Sequence, residues 1–169
     1  MDVEQISLVS FGYFDQKILE KISEDIQNEY SLPVWLRRGN LDLGEFYDSA
    51  RRQYNGTLLL KRVDESFSQG NEKTIGLFSV DLFIPILTYI FGQAYLNGRT
   101  GIASVYRLNS ELYGLKPDNI LLHQRFRKEI LHEIGHLFGL IHCMEANCVM
   151  RSSTYVEDID QKSQSLCLS

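Results

Sequence analysis

Cysteine is scarce in this chain and unevenly placed. There are three, Cys143, Cys148 and Cys167, all near the C-terminal end of 169 residues. An odd number without an export signal argues against a disulfide framework, and in a reducing compartment clustered cysteines more often bind metal. The N-terminal MDVEQISLVSF has no basic n-region, no long apolar run and no small-residue cleavage site, so a secretory signal is not expected and the expected location is the cytoplasm. Runs of Lys and Arg are missing, and the formal net charge is −5, which removes the electrostatic case for nucleic acid. Internal repeats, low-complexity tracts and Pro/Gly-rich linkers are missing too, so residues 1–169 are expected to form one domain.

An uninterrupted membrane-length apolar run is also lacking. Residues 77–96, LFSVDLFIPILTYIFGQAYL, come nearest in length, but Asp81 and Pro85 break them. A charge near the centre of a bilayer span costs a few kcal/mol, so buried strands explain the stretch better and no membrane partner is expected.

What is present is the composition of an ordinary soluble globular domain, 44% hydrophobic and 23% charged. Residues 6–11 are apolar and β-prone, as a central strand would be. Asp15 can cap a helix to about Tyr30, with Ile18, Leu19, Ile22 and Ile26 forming one apolar stripe. A short strand is expected at 33–37, a poorly bounded helix within 43–63, and a third strand at 75–83 after the turn residues Gly70 and Asn71. Segments 89–95 and 102–107 read as two strands joined through Asn97-Gly98, a strong hairpin signal. A last helix is expected over 119–137 behind Pro117 and Asp118, followed by a tail with little regular pattern. Early β-α-β order implies a mixed, mostly parallel α/β sheet, and the hairpin implies one antiparallel edge.

Chemistry is concentrated in HEIGHLFGLIHC, 132–143, which holds three of the four histidines. At about 100° per residue, His132 and His136 fall about 40° apart on one helical face, one turn from each other. Ile130, Ile134, Leu137 and Phe138, with Phe126 and Leu131, cluster on the opposite side. Such a histidine pair can chelate one metal ion, and Glu133 beside it can take the proton of a metal-bound water. His142 joins only if the helix stops, because ten more helical residues would carry it about 15 Å along the axis. Gly139 can supply that stop by adopting positive φ. Three neutral imidazoles leave a fourth position for water, the open arrangement of a catalytic zinc site, although imidazole also suits cobalt or iron. The competing reading is a core helix with incidental histidines. It leaves Glu133 and two histidines on a polar stripe to be explained separately.

HExxHxxGxxH is the zinc signature of the metzincin metallopeptidases. With Cys143, Cys148 and Met150 following as H-C-x4-C-x-M, the chain resembles the archaemetzincin family. That resemblance is tightest over 128–167. It implies a metzincin-like fold in which Cys143, Cys148 and Cys167 contribute to a second, structural zinc site, and Met150 forms the Met-turn under the catalytic metal. On that basis 1–142 would carry the active-site helix and 143–169 would be a zinc-stapled C-terminal part. The family carries a CxxC pair after the Met-turn, whereas here Leu168 and Ser169 follow Cys167, leaving three thiolates for a four-coordinate ion. Buried packing roles for the cysteines and for Met150 stand as alternatives. Some metzincins place a tyrosine two residues after the methionine, where this chain has Ser152, so that role is not carried to Tyr155.

His123 lies too far along the helix to reach the first metal and reads as solvated or capping. Arg37-Arg38 and Arg51-Arg52 read as solvated basic pairs. The expectation is therefore a monomeric zinc peptidase. His132, His136 and His142 bind zinc, and Glu133 is general base and then general acid. The edge near 89–95 takes up peptide or unfolded polypeptide. The alternative is a non-proteolytic zinc protein that keeps the site for binding or scaffolding.

Overall fold

The structure, a computed structural model, describes residues 2–168. Its main sheet has five strands. β1 (Gln5–Phe11) lies between β2 (Val34–Gly39) and β5 (Glu72–Phe78), parallel to both. β9 (Thr100–Ser104) continues the parallel set beside β5, and β8 (Gly92–Ala94) closes one side antiparallel to β9, giving the order β2-β1-β5-β9-β8. This is the mixed, mostly parallel sheet with one antiparallel edge that the sequence implies.

Side-chain alternation along a strand sends successive residues to opposite faces, and here both faces are covered. Ile6 and Leu8 of β1, with Ile75 and Leu77 of β5, pack under α1 (Gln16–Tyr30) and α3 (Asn119–Leu137). Val9, Phe11, Phe78 and Ile102 pack on the other side against Leu59, Leu60 and Val63 of α2 (Gly56–Phe67). Asp15 caps α1 as expected, accepting from the Lys17 and Ile18 amides. Asp118 caps α3 through the Leu121 amide.

Several expected elements divide differently. The run 75–83 is two strands, because β5 ends at Phe78 and β6 (Leu82–Ile84) belongs to a second sheet. The chain bends where Asp81 takes both arms of the Arg107 guanidinium, at 2.8 and 2.7 Å, and the Gln53 amide at 3.2 Å. A buried carboxylate needs such partners, and reaching them takes the chain out of the first sheet. The second sheet comprises β3 (Tyr47–Asp48), β4 (Gln53–Asn55), β6 and β7 (Leu87–Ile90), in the order β3-β4-β6-β7. Segment 89–95 is therefore split between β7 and β8, and 102–107 ends as strand at Ser104 before a 3-10 turn. The second helix begins only at Gly56, behind a 3-10 turn at Leu43–Phe46.

The tail is more ordered than its sequence suggests. It contains α4 (Val156–Gln161), docked on α3 by a two-armed Arg125–Asp160 ion pair with both contacts at 2.8 Å. Val149, Met150, Val156 and Ile159 are buried in the same core as β1 and α3. Among the described residues, no helix is long and apolar enough to cross a membrane.

Candidate metal centre and cleft

The C-terminal half of α3 is buried almost all round, and His132 and Glu133 are among its buried residues. The Nδ1 atoms of His132 and His136 lie 2.8 Å from the carbonyl oxygens of Val149 and Leu140 respectively. A carbonyl can only accept, so both rings carry their proton on Nδ1 and present a bare Nε2. The two Nε2 atoms are 3.1 Å apart. The helix then stops at Gly139, whose φ of +88° is open to glycine and strained for other residues. Asn97, in the turn between β8 and β9, donates its amide to the His136 carbonyl at 2.8 Å and so satisfies an end of the helix. Past the glycine the chain folds back and places the His142 ring 5.2 and 4.9 Å, centroid to centroid, from those of His132 and His136.

One ligand nitrogen from each of the three histidines lies within 4.8 Å of the others. This donor set fits a divalent cation. Two lone pairs facing each other at 3.1 Å, with no proton available to either, repel unless a cation lies between them. Zinc–nitrogen bonds of about 2.0–2.1 Å in a tetrahedral arrangement would space such nitrogens by about 3.3 Å. Two of the rings, those of His132 and His136, favour the neutral form: burial and then the Lys162 ammonium hold His132 down at about 3, and burial lowers His136. Metal binding therefore costs these rings little proton release near neutral pH.

The sulfurs of Cys143, Cys148 and Cys167 form a second cluster within 4.8 Å, with Cys143 and Cys167 3.7 Å apart. Between the two clusters runs the segment carrying Met150. The Cys143 amide donates to the Met150 carbonyl at 3.0 Å, and the Met150 thioether packs under α3 against Gly135, where a side chain would collide with it. The tail also buries Val149, Met150, Val156 and Ile159, so apolar packing contributes to holding it against the domain.

The histidines lie in a cleft of about 750 Å³. One wall is the run from Leu87 to Ala94, which joins the edge strands of both sheets. The other is Ser152–Ser153–Thr154–Tyr155, with Tyr155 exposed at the margin. Glu133 lines the cleft beside His132, and burial, then the neighbouring Glu129, raises its pKa above the usual carboxylate range, as suits a group that takes up a proton. Two further lining residues escaped the sequence reading, Glu129 and Lys162, both buried. Glu129 stands four residues before Glu133, a spacing that could have flagged it; Lys162, 30 residues from His132, carries no local signal.

The other weighed residues fall outside this constellation. His123 is half-buried and is not part of the cleft lining. Arg37 is not solvated as expected, since it donates to Glu72 at 2.8 Å and to the Phe67 carbonyl at 2.7 Å. Arg51 donates to the Leu87 carbonyl and lies over the Phe83 ring at 4.0 Å.

A convergent histidine triad on the floor of a cleft bordered by an open sheet edge is the arrangement of a metallopeptidase. Comparison with known proteins is specific about which. The sequence profile of peptidase family M54 matches residues 45–169. An archaemetzincin of Haloquadratum walsbyi is 34% identical over 166 residues, covering 96% of this chain and 94% of the relative. The crystal structure of archaemetzincin from Methanopyrus kandleri superposes with a TM-score of 0.84 at 33% identity, covering 98% of this chain and 89% of that one. That of a zinc-dependent peptidase from Methanocorpusculum labreanum gives 0.82 at 28% identity, covering 96% of both. The chain belongs to peptidase family M54, the archaemetzincins, and is a zinc metallopeptidase.

Proposed function

We propose that the chain hydrolyses peptide bonds in extended peptides or unfolded segments laid along the β8 edge. His132, His136 and His142 would hold the catalytic zinc and Glu133 would move the proton. The observation that carries this reading is the convergence of three histidine nitrogens, two with tautomers set by backbone carbonyls, beside the Glu133 carboxyl in an open cleft. Zinc bound there supplies Lewis acidity, which acidifies water and polarises a carbonyl. Glu133 accepts the proton of the attacking water and delivers it to the leaving amine nitrogen. Val149 and Leu140 keep the two imidazoles aimed by holding their Nδ1 protons. The edge of β8 supports substrate binding because its outward backbone groups face no further strand of the sheet, so an extended peptide can pair with them.

We infer further that Cys143, Cys148 and Cys167 hold a second, structural zinc, and that Met150 is the apolar floor beneath the first. The sulfur spacing supports the one, and burial of Met150 against Gly135 supports the other.

The test is digestion of a diverse peptide mixture, read by mass spectrometry, with protein stripped of metal and then reloaded with zinc. Cuts that disappear on stripping and return on reloading support a zinc peptidase. Zinc-loaded protein that cuts nothing, yet binds peptides, would favour a binding role instead.

A further inference from the structure

The cleft offers a substrate side chain almost no charge. Among the described residues that line it, the acidic and basic ones are Glu129, Glu133 and Lys162, and none is more than 4% exposed. A charged side chain entering the cleft would therefore leave water without an exposed carboxylate or ammonium to pair with. Two large apolar side chains line the same cleft and are left uncovered: Leu96 is 57% exposed and Ile141 71%.

These two are 45 positions apart in the chain, yet one corner of the fold sets both. Leu96 directly precedes Asn97, whose amide donates to the His136 carbonyl at 2.8 Å. Ile141 directly precedes His142, and the turn that leads to it is closed by the Gly139 amide, which donates to the same His136 carbonyl at 3.0 Å. A Cβ on Gly139 would lie 3.5 Å from Asn97 Oδ1, so the turn after β8 and the loop after α3 meet here. Leu96 and Ile141 thus border one end of the cleft, beside His136 and His142. Apolar residues scattered singly over a surface need no explanation, but a pair held open at the mouth of a functional cleft is fitted to an apolar partner.

We propose that Leu96 and Ile141 form an apolar subsite, which selects substrates with an aliphatic or aromatic side chain on the Leu96 side of the cut bond and disfavours acidic and basic ones there. Removing that side chain from water against them supplies the preference. Gly92 lies against Glu133, and Leu96 is four residues further along the same wall. A peptide paired with β8 advances about 3.3 Å per residue, as the strand does, so the selected residue lies within about four of the cut bond. The proposal rests on the peptidase reading of the cleft and names the substrate class that reading leaves open.

The experiment measures binding of peptide hydroxamates to zinc-loaded protein, native and with Leu96→Glu or Ile141→Glu, each checked for zinc content and melting temperature. The hydroxamate group ties the ligand to the metal, and two series place the peptide on one side of that group or the other. Ala, Leu, Glu and Lys are exchanged in turn at each of the four positions nearest the hydroxamate. In native protein, Leu should bind at least fivefold tighter than Ala at one position of one series, with Glu and Lys no tighter than Ala. Each variant should lose that gain and bind Lys best at the same position, a switch that a general loss of structure does not produce. Leu and Ala within twofold of each other at every position would overturn the proposal. So would a Leu preference that persists in both variants, an equal loss for all four residues, or native protein that binds no hydroxamate. Digestion of a peptide mixture by the same samples keeps the two readings apart: native protein that shows the Leu preference but cuts nothing would defeat the peptidase reading and support the subsite.

Discussion

The Nδ1 of His132 lies 2.8 Å from the carbonyl oxygen of Val149, a residue of the tail segment that follows the first two cysteines. Val149 is held in turn by its own amide, which donates to the Ser165 carbonyl at 3.0 Å. The first histidine of the cluster is therefore aimed by backbone whose position depends on Cys148, Ser165 and their neighbours. Groups that orient metal-binding histidines are commonly worth about 10–100-fold in metal affinity.

Cys148→Ala should accordingly act at both clusters. Native protein is expected to bind two zinc ions and the variant one. The remaining ion should be held about 10–100-fold more weakly through the disturbed His132. Elemental analysis and competition with a fluorescent chelator measure the two effects. A variant that still binds two ions would remove Cys148 from the second site.

Gly135 and Met150 should be energetically coupled. A Cβ at position 135 would overlap the Met150 thioether, and overpacking of this kind costs about 1–3 kcal/mol. Gly135→Ala should lower the unfolding free energy measured in urea by that amount. Adding Met150→Ala should give a double variant more stable than the sum of the single effects implies, because the shortened side chain relieves the clash. Strict additivity would show that the two do not pack as described.

Glu72 should make stability depend on pH in the acid range. Burial acts to raise its pKa, but hydrogen bonds from Ser7 and Gln5, with the Arg37 guanidinium, outweigh it and hold the carboxyl below its ordinary value of 4.5. A carboxyl whose pKa is depressed on folding stabilises the protein fully above its unfolded pKa and loses that contribution as pH falls through the folded one. Unfolding free energy should therefore decline below about pH 4.5, with Glu72 responsible for part of the decline. Glu72→Gln should cost about 1–3 kcal/mol at pH 7 and should flatten the acid limb. An unchanged slope in urea titrations across that range would assign it to other groups.

The histidine cluster was legible because each step in its sequence has one geometric consequence. A spacing of four puts His132 and His136 on one face, and Gly139 turns the chain so that His142 returns to them. The parallel sheet was legible from apolar runs separated by a well-capped helix. The second sheet was not, because β3 and β4 have only two and three residues, too few for a period to show. The run 75–83 concealed a corner for a different reason. The partner of Asp81 is Arg107, 26 residues away, and only the folded chain brings them together. Lys162 was hidden in the same way. α4 owes its place to the long-range Arg125–Asp160 pair as well as to the apolar Val156 and Ile159.

The most direct measurement is the rate of peptide cleavage by Glu133→Ala, with zinc content determined on the same sample. The expected result is loss of about 10²–10⁴ in kcat, the typical contribution of a positioned acid–base group, while zinc stays bound at the native level. A variant that retains its zinc and cuts peptides at the native rate would contradict the role assigned to Glu133, and with it the account of the cleft.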